Sequence, residues 1–198
     1  QVRDAAQSGL GVCVVTAHGG PAHQKVVTAA AYRELIEARR AFPEIIVFQG
    51  LEWNIPSAEH GSIIVPPTAD EARMIEEFES RFDDKSRKTP PLGEPDAVAG
   101  VSFLQSLPSK PLFFANHPAR RGLDSPHELR AWSDAGPEVM RGFEGAPGHS
   151  AATMMGERRG HYSDKPSKGS FAGYPLESYR TFGGYDYYTA EVGGLWDS

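Results

Sequence analysis

Four apolar runs in this chain each end on or close to a histidine or a glutamate. His18 comes just after Val12 to Thr16 (VCVVT), Glu52 just after Glu44 to Gln49 (EIIVFQ), and His117 two residues after Pro111 to Ala115 (PLFFA). Glu144 and His149 follow Val139 to Phe143, and His60 lies across a short turn from Glu52, with Glu59 beside it. Histidines scattered over a surface would not follow apolar runs so regularly. Imidazole nitrogens and carboxylate oxygens brought together suit zinc, manganese or iron, and one carboxylate can bridge two ions. A water on such ions loses a proton near neutral pH, and the ions polarise a phosphoryl or carbonyl oxygen. These residue types therefore point to a metal-dependent hydrolase.

For that convergence the apolar runs must be strands at whose ends the donors collect. VCVVT is continuous and β-branched, as strands buried in parallel sheets are. Val26 to Phe42 reads as a helix with Ala31, Leu35, Ala38 and Phe42 on one stripe. EIIVFQ is the next strand, Trp53 to Glu59 the turn after it, and Ser62 to Val65 a further short strand. Thr68-Ala-Asp-Glu71 has the form of a capping box, opening a helix that turns Met74, Ile75, Phe78 and Phe82 inward. Ala97 to Leu107 reads as another helix. Ser125-Pro126-His127-Glu128 is a second box with Pro126 at the first helical position. Asp83 to Asp96 is a polar, proline-rich surface connection within one domain. Gly145 to Gly184 is a long Gly-, Ser- and Arg-rich loop of a kind that is usually functional. The alternation of strand, loop and helix predicts an α/β fold with a largely parallel sheet, open or closed into a barrel. Chemistry in such folds gathers beyond the carboxyl ends of the strands.

Composition narrows the partners. The 198 residues suffice for one sizeable domain. Lys+Arg 20 against Asp+Glu 26 gives a net charge of -6, which argues against a broad nucleic-acid surface. Mean hydropathy is -0.43, and no apolar run approaches the ~20 residues of a membrane helix. Cys13 is the only cysteine, so there is no intrachain disulfide and a reducing, cytoplasmic setting is favoured. Both ends read as cut from something longer, so the N-terminus does not speak to export.

Thr16-Ala17-His18 after an apolar strand, Gly50-Leu51-Glu52, a histidine eight residues further on, and Asn116-His117-Pro118 ending a later strand together resemble the polymerase and histidinol phosphatase (PHP) superfamily. The motifs are short, and it is their order and spacing over most of the chain that carry the resemblance. It implies a distorted (β/α)7 TIM-like barrel, here incomplete at both ends, with two or three zinc, manganese or iron ions. It also implies hydrolysis of a small, anionic, phosphorylated substrate. On this resemblance His18 is a metal ligand and Glu52 the carboxylate bridging two ions. His60 and His117 complete one metal site with it, and Glu52 and His117 carry the catalysis. The family's His-x-His pair on the first strand and Asp-x-His pair on the last do not occur in these residues and would lie before Gln1 and after Ser198. Where the family usually has Asp, this chain has Ala17, which removes a carboxylate that would orient His18.

Arg120 and Arg121 follow the His117-Pro118 segment, and an arginine fork matches phosphate oxygens. With His149 they form the expected substrate-binding set, against an ordinary reading as solvated arginines and a loop histidine. Arg158, Arg159, Lys165 and Lys168 make a local basic cluster in the long loop. Glu59 reads as a solvated charge or a carboxylate behind a ligand, His23 and His127 as ordinary loop and helix residues, and His161 as surface. Two other functions remain open on sequence grounds. One is an amidohydrolase-like or lactonase-like use of a similar cluster. The other is a catalytically inactive barrel kept as a binding or scaffold module, the reading at which Ala17 hints.

Overall fold

The structure is a computed structural model and describes residues 2–87, 90–117, 124 and 126–144. Five strands form one sheet in chain order: β1 (Val12–His18), β2 (Ile46–Asn54), β3 (His60–Val65), β4 (Leu112–Ala115) and β5 (Met140–Phe143). Between β2 and β3 run only Ile55 to Glu59. A parallel crossover needs a dozen or more residues, so β3 has to return antiparallel. It does, and it is also antiparallel to β4, while β1 pairs with β2 and β4 with β5 in parallel.

This corrects the expected architecture. The described residues build a mixed, open five-stranded sheet with β1 and β5 at its edges, and not a closed (β/α)7 TIM-like barrel. A barrel of that type requires parallel strands, each joined to the next by a helical crossover. The short Ile55–Glu59 turn breaks that pattern in the middle of the sheet.

Six helices accompany the strands: α1 (Val2–Gln7), α2 (Pro21–Gln24), α3 (Tyr32–Ala41), α4 (Glu71–Phe82), α5 (Glu94–Ser106) and α6 (Pro126–Ala135). A π-helical segment, Val27–Ala31, leads into α3, where one continuous helix was expected. Thr68 does not cap α4. Its Oγ1 donates to Asp70 Oδ1, and the Glu71 carboxylate is instead fully buried against the Arg39 guanidinium. The α5 helix starts at Glu94, earlier than expected, with Pro95 in its first turn and the Gly93 N–H donating to Asp96 Oδ2 at 3.0 Å. Ser125 and the long loop at 145–184 lie outside the described residues. No helix of the described residues is long and apolar enough to cross a membrane.

Alternation along the strands separates a packed face from a second face. Leu51, Trp53, Ile63, Val65, Phe113 and Ala115 point into one core with Ile75 and Phe78 of α4, Val101 and Leu104 of α5, and Trp132 of α6. Val47 joins a smaller cluster with Leu35 of α3 and Ala5 of α1. Glu52, Ser62 and Phe114 are register partners across β2, β3 and β4 and take the other face, all partly exposed. Because β3 runs backwards, its first residue lies at the same sheet edge as the last residues of its neighbours. Register places His18 opposite Glu52, Asn54 opposite His60, Gly61 opposite Ala115 and Ala115 opposite Phe143.

Candidate metal-binding site

Glu52 lies within β2, which continues to Asn54 and so takes in Trp53 and Asn54, expected in the turn, as well as Glu52, expected just past the strand. The strand alternation buries Trp53 and directs Glu52 to the second face, where its side chain is 19% exposed. Three imidazoles surround it. Its Oε2 is 3.4 Å from His18 Nε2, and its Oε1 is 3.4 Å from His60 Nδ1 and 3.5 Å from His117 Nε2. His60 stands between the other two rings, edge-on to both at 5.2 Å between centroids. His18 is the exposed end of the row, at 61% of its side chain, whereas His60 and His117 are mostly buried.

These separations are long for hydrogen bonds and compatible with ligands of a shared ion. Hydrogen bonds between nitrogen and oxygen cluster near ~2.9 Å, and 3.4 Å or more is poor geometry for one. A tetrahedral ion bonded at about 2.1 Å holds its ligand atoms roughly 3.4 Å apart. All three distances from the Glu52 carboxylate match the second value. The two oxygens also divide their partners, Oε2 facing His18 and Oε1 facing His60 and His117, as the ends of a carboxylate shared by two ions would. Nitrogen and anionic oxygen donors in this proportion fit zinc, manganese or iron. The residues present therefore fit a divalent metal.

Glu59 is the residue the sequence undervalued. It is buried at 2% exposure and is not a solvated charge. Its Oε2 lies 3.9 Å from His117 Nδ1, and one donor atom each from Glu59, His60 and His117 falls within 4.8 Å of the others, as is true of His18, Glu52 and His60. His117 thus has Nε2 toward Glu52 and Nδ1 toward Glu59. At 3.9 Å the Glu59 carboxylate is beyond hydrogen-bond reach of Nδ1, and it stands behind the ring as a further donor beside His60 and His117. The Glu59 N–H in turn donates to the fully buried Asp124 at 2.8 Å.

The loop after His18 is anchored by a buried polar network. Gly19 N–H donates to the Glu52 carbonyl at 2.9 Å, and Asn54 Nδ2 donates both to Gly19 O and to Asp83 Oδ2. Gly20 N–H donates to Glu79 Oε1 at 2.6 Å, while His23 Nδ1 and Glu79 Oε2 are 2.7 Å apart. Glu79 and Asp83 are both fully buried, and a Cβ on Gly19 would stand 2.3 Å from Asp83 Oδ2, so only glycine passes there. His23 is therefore half of a buried pair and not an ordinary loop residue. Glu79→Ala leaves the His23 ring and the Gly20 N–H without their acceptor. Its expected cost is on the order of 3 kcal/mol, as for other broken buried pairs, read as a lowered urea midpoint with an unchanged slope.

Two cavities border the cluster. One of about 470 Å3 is lined by Thr16, Glu52, Ser62, Asn116, His117 and Glu144, with Phe114 among its apolar walls. The other, about 240 Å3, brings Lys85 and Asp84 beside Glu59 and His60. Burial and then the neighbouring Asp83 carboxylate push the Asp84 carboxyl above its usual range. A larger cavity of about 740 Å3 lies between α1 and α3, and no histidine lines it. Arg120, Arg121 and His149, expected to bind substrate, lie outside the described residues, as do His161 and the basic cluster at 158–168. His127 sits 3.2 Å from Glu94, away from the cluster.

Set beside known proteins, the chain matches no protein-family model, no curated protein and no solved structure at a significant level.

Proposed function

We propose that this protein is a metal-dependent hydrolase acting on phosphoesters, with its ions held by Glu52, His18, His60 and His117. The observation that carries the reading is the set of three nitrogen–oxygen separations of 3.4, 3.4 and 3.5 Å around one carboxylate. When bound, divalent ions supply Lewis acidity and lower the pKa of a bound water toward neutrality. The protein's own part is positional. Glu52 contributes the anionic charge that the three imidazoles share. His60 and His117, largely buried, fix two nitrogens against one of its oxygens. Thr16, Ser62 and Asn116 offer hydroxyl and amide groups to substrate oxygens in the adjoining cavity. Lys85 borders the cluster with a positive charge, suited to an anionic substrate. The PHP-like order of the His18, Glu52, His60 and His117 motifs favours phosphoesters over amides or lactones.

The test is hydrolysis of a generic aryl phosphoester by the full chain with zinc or manganese supplied, beside an aryl amide and a lactone. Phosphoester turnover that a chelator abolishes is the expected result. His117→Ala should lower that rate beyond the ~10–100-fold typical of a merely supporting residue. Turnover indifferent to chelator and to this substitution refutes the reading. Turnover of the amide or lactone alone moves it to a different class of metal hydrolase.

A further inference from the structure

We propose that Glu144 is a positioning residue that holds His117 at the candidate metal site, an inference that rests on the metal-binding reading of the cluster. His117 has φ +34°, a positive value uncommon for residues other than glycine, although His, like Asn and Asp, takes it more often than most. The next residue is Pro118, whose ring disfavours compact backbone conformations in the residue before it. The His117 backbone is therefore strained from both sides, and its ring can face Glu52 only if other contacts over-determine it. Those contacts come from the end of β5. Glu144 N–H donates to the Ala115 carbonyl at 2.7 Å, and the His117 N–H donates to Glu144 Oε2 at 2.7 Å. Two short bonds thus close a ring from residue 115 through 117 back to 144. The second has an ionised acceptor, which makes it the stronger type. On the other side, Asn116 N–H donates to the His60 carbonyl at 2.8 Å, so the same segment is tied to a second imidazole-bearing residue. Glu144 itself is exposed and lines the cavity that Glu52 and His117 share. Among the described residues its carboxylate bonds the backbone of a candidate ligand.

The experiment compares Glu144→Ala and Glu144→Gln with the parent in the full chain, using two readouts. Zinc titration is expected to show affinity reduced by on the order of tenfold or more in the Ala variant, as for a lost supporting contact. The Gln variant keeps an oxygen acceptor and should stay close to the parent, and the number of ions per chain should be the same in all three. Amide hydrogen exchange at His117, measured without metal, should be slow in the parent and the Gln variant and fast in the Ala variant, with thermal midpoints unchanged. Parent-like zinc affinity in Glu144→Ala overturns the proposal. So does an equal loss of one ion in both variants, which would make Glu144 a ligand. A parent that takes up no zinc refutes the metal reading instead, and the exchange data then still decide whether Glu144 holds His117.

Discussion

Glu52→Ala is expected to abolish uptake of zinc or manganese while leaving the protein folded. Among the described residues the carboxylate lies within 3.5 Å of all three imidazoles, His18 at one oxygen and His60 and His117 at the other. Its loss removes the only anionic donor on the Nε2 side of His117 among the described residues of the cluster. What remains is three imidazoles that no longer share a carboxylate, with Glu59 reaching only the His60 and His117 end of the row. Folding should scarcely register the change. The side chain is on the sheet face opposite the main core and partly exposed, so the expected shift in stability is within about 1 kcal/mol. Glu52→Gln separates charge from shape, since it retains the volume and one oxygen but not the anion. Metal content after dialysis, measured by elemental analysis and paired with urea unfolding, checks both halves. One ion retained in Glu52→Ala would place that ion at Glu59, His60 and His117 and reverse the division of roles between the two glutamates. Undiminished metal content would remove Glu52 from the site altogether.

The apolar runs made the strands legible, and the residue types that follow them made their convergence legible. What they left out was direction and extent. The strand alternation Leu51, Glu52, Trp53 could have been read as a continuation of β2, because a buried tryptophan beside an exposed glutamate is the period of a strand. The apolar run by itself ends at Gln49, which leaves Glu52 just past the strand and puts Trp53 in the turn. Counting five residues between Asn54 and His60 would have excluded a parallel crossover, and with it the barrel. The resemblance to a barrel family outweighed that count. It did so because its short motifs specify which donors meet and carry no information about strand direction. His60 reaches the edge where His18 and His117 end precisely because β3 runs backwards, so the same donors converge on an open, mixed sheet. Glu59 was illegible for a different reason. Nothing in the surrounding Ser57-Ala58-Glu59-His60 marks it as buried, and the partner of its backbone N–H, Asp124, is distant in sequence. The buried Glu79 and Asp83 likewise lie on α4 and at its end, and only tertiary structure brings them against Gly20, His23 and Asn54.

Trp53→Ala should do the reverse of Glu52→Ala, although the two residues are adjacent on one strand. Trp53 is fully buried, edge-on to Phe78 at 5.0 Å and to Phe113 at 5.5 Å between ring centroids. Its ring fills the space above Gly100, where even a Cβ would approach within 3.2 Å. Phe113 is itself edge-on to Trp132, so Trp53 links α4, α5 and β4, and through Phe113 α6. Truncating it leaves a cavity that the two rigid aromatic neighbours cannot collapse into, and such truncations cost about 3–5 kcal/mol. The Nε1–H also donates to the Phe82 carbonyl at the end of α4, a bond of 2.8 Å that Ala cannot replace. Trp53→Phe keeps most of the packing and loses that bond, so its loss relative to the parent reports the bond at about 1 kcal/mol, and the difference between the two variants reports the packing. Against a total stability of roughly 5–15 kcal/mol, the Ala variant should unfold at a much lower urea concentration. At urea concentrations where it is still folded it should bind the parental number of ions, because Trp53 supports the strand and touches no donor of the cluster. A Trp53→Ala protein as resistant to urea as the parent would mean that the helical layer does not depend on this ring. A folded variant without metal would mean that the placement of Glu52 depends on the packing beneath it.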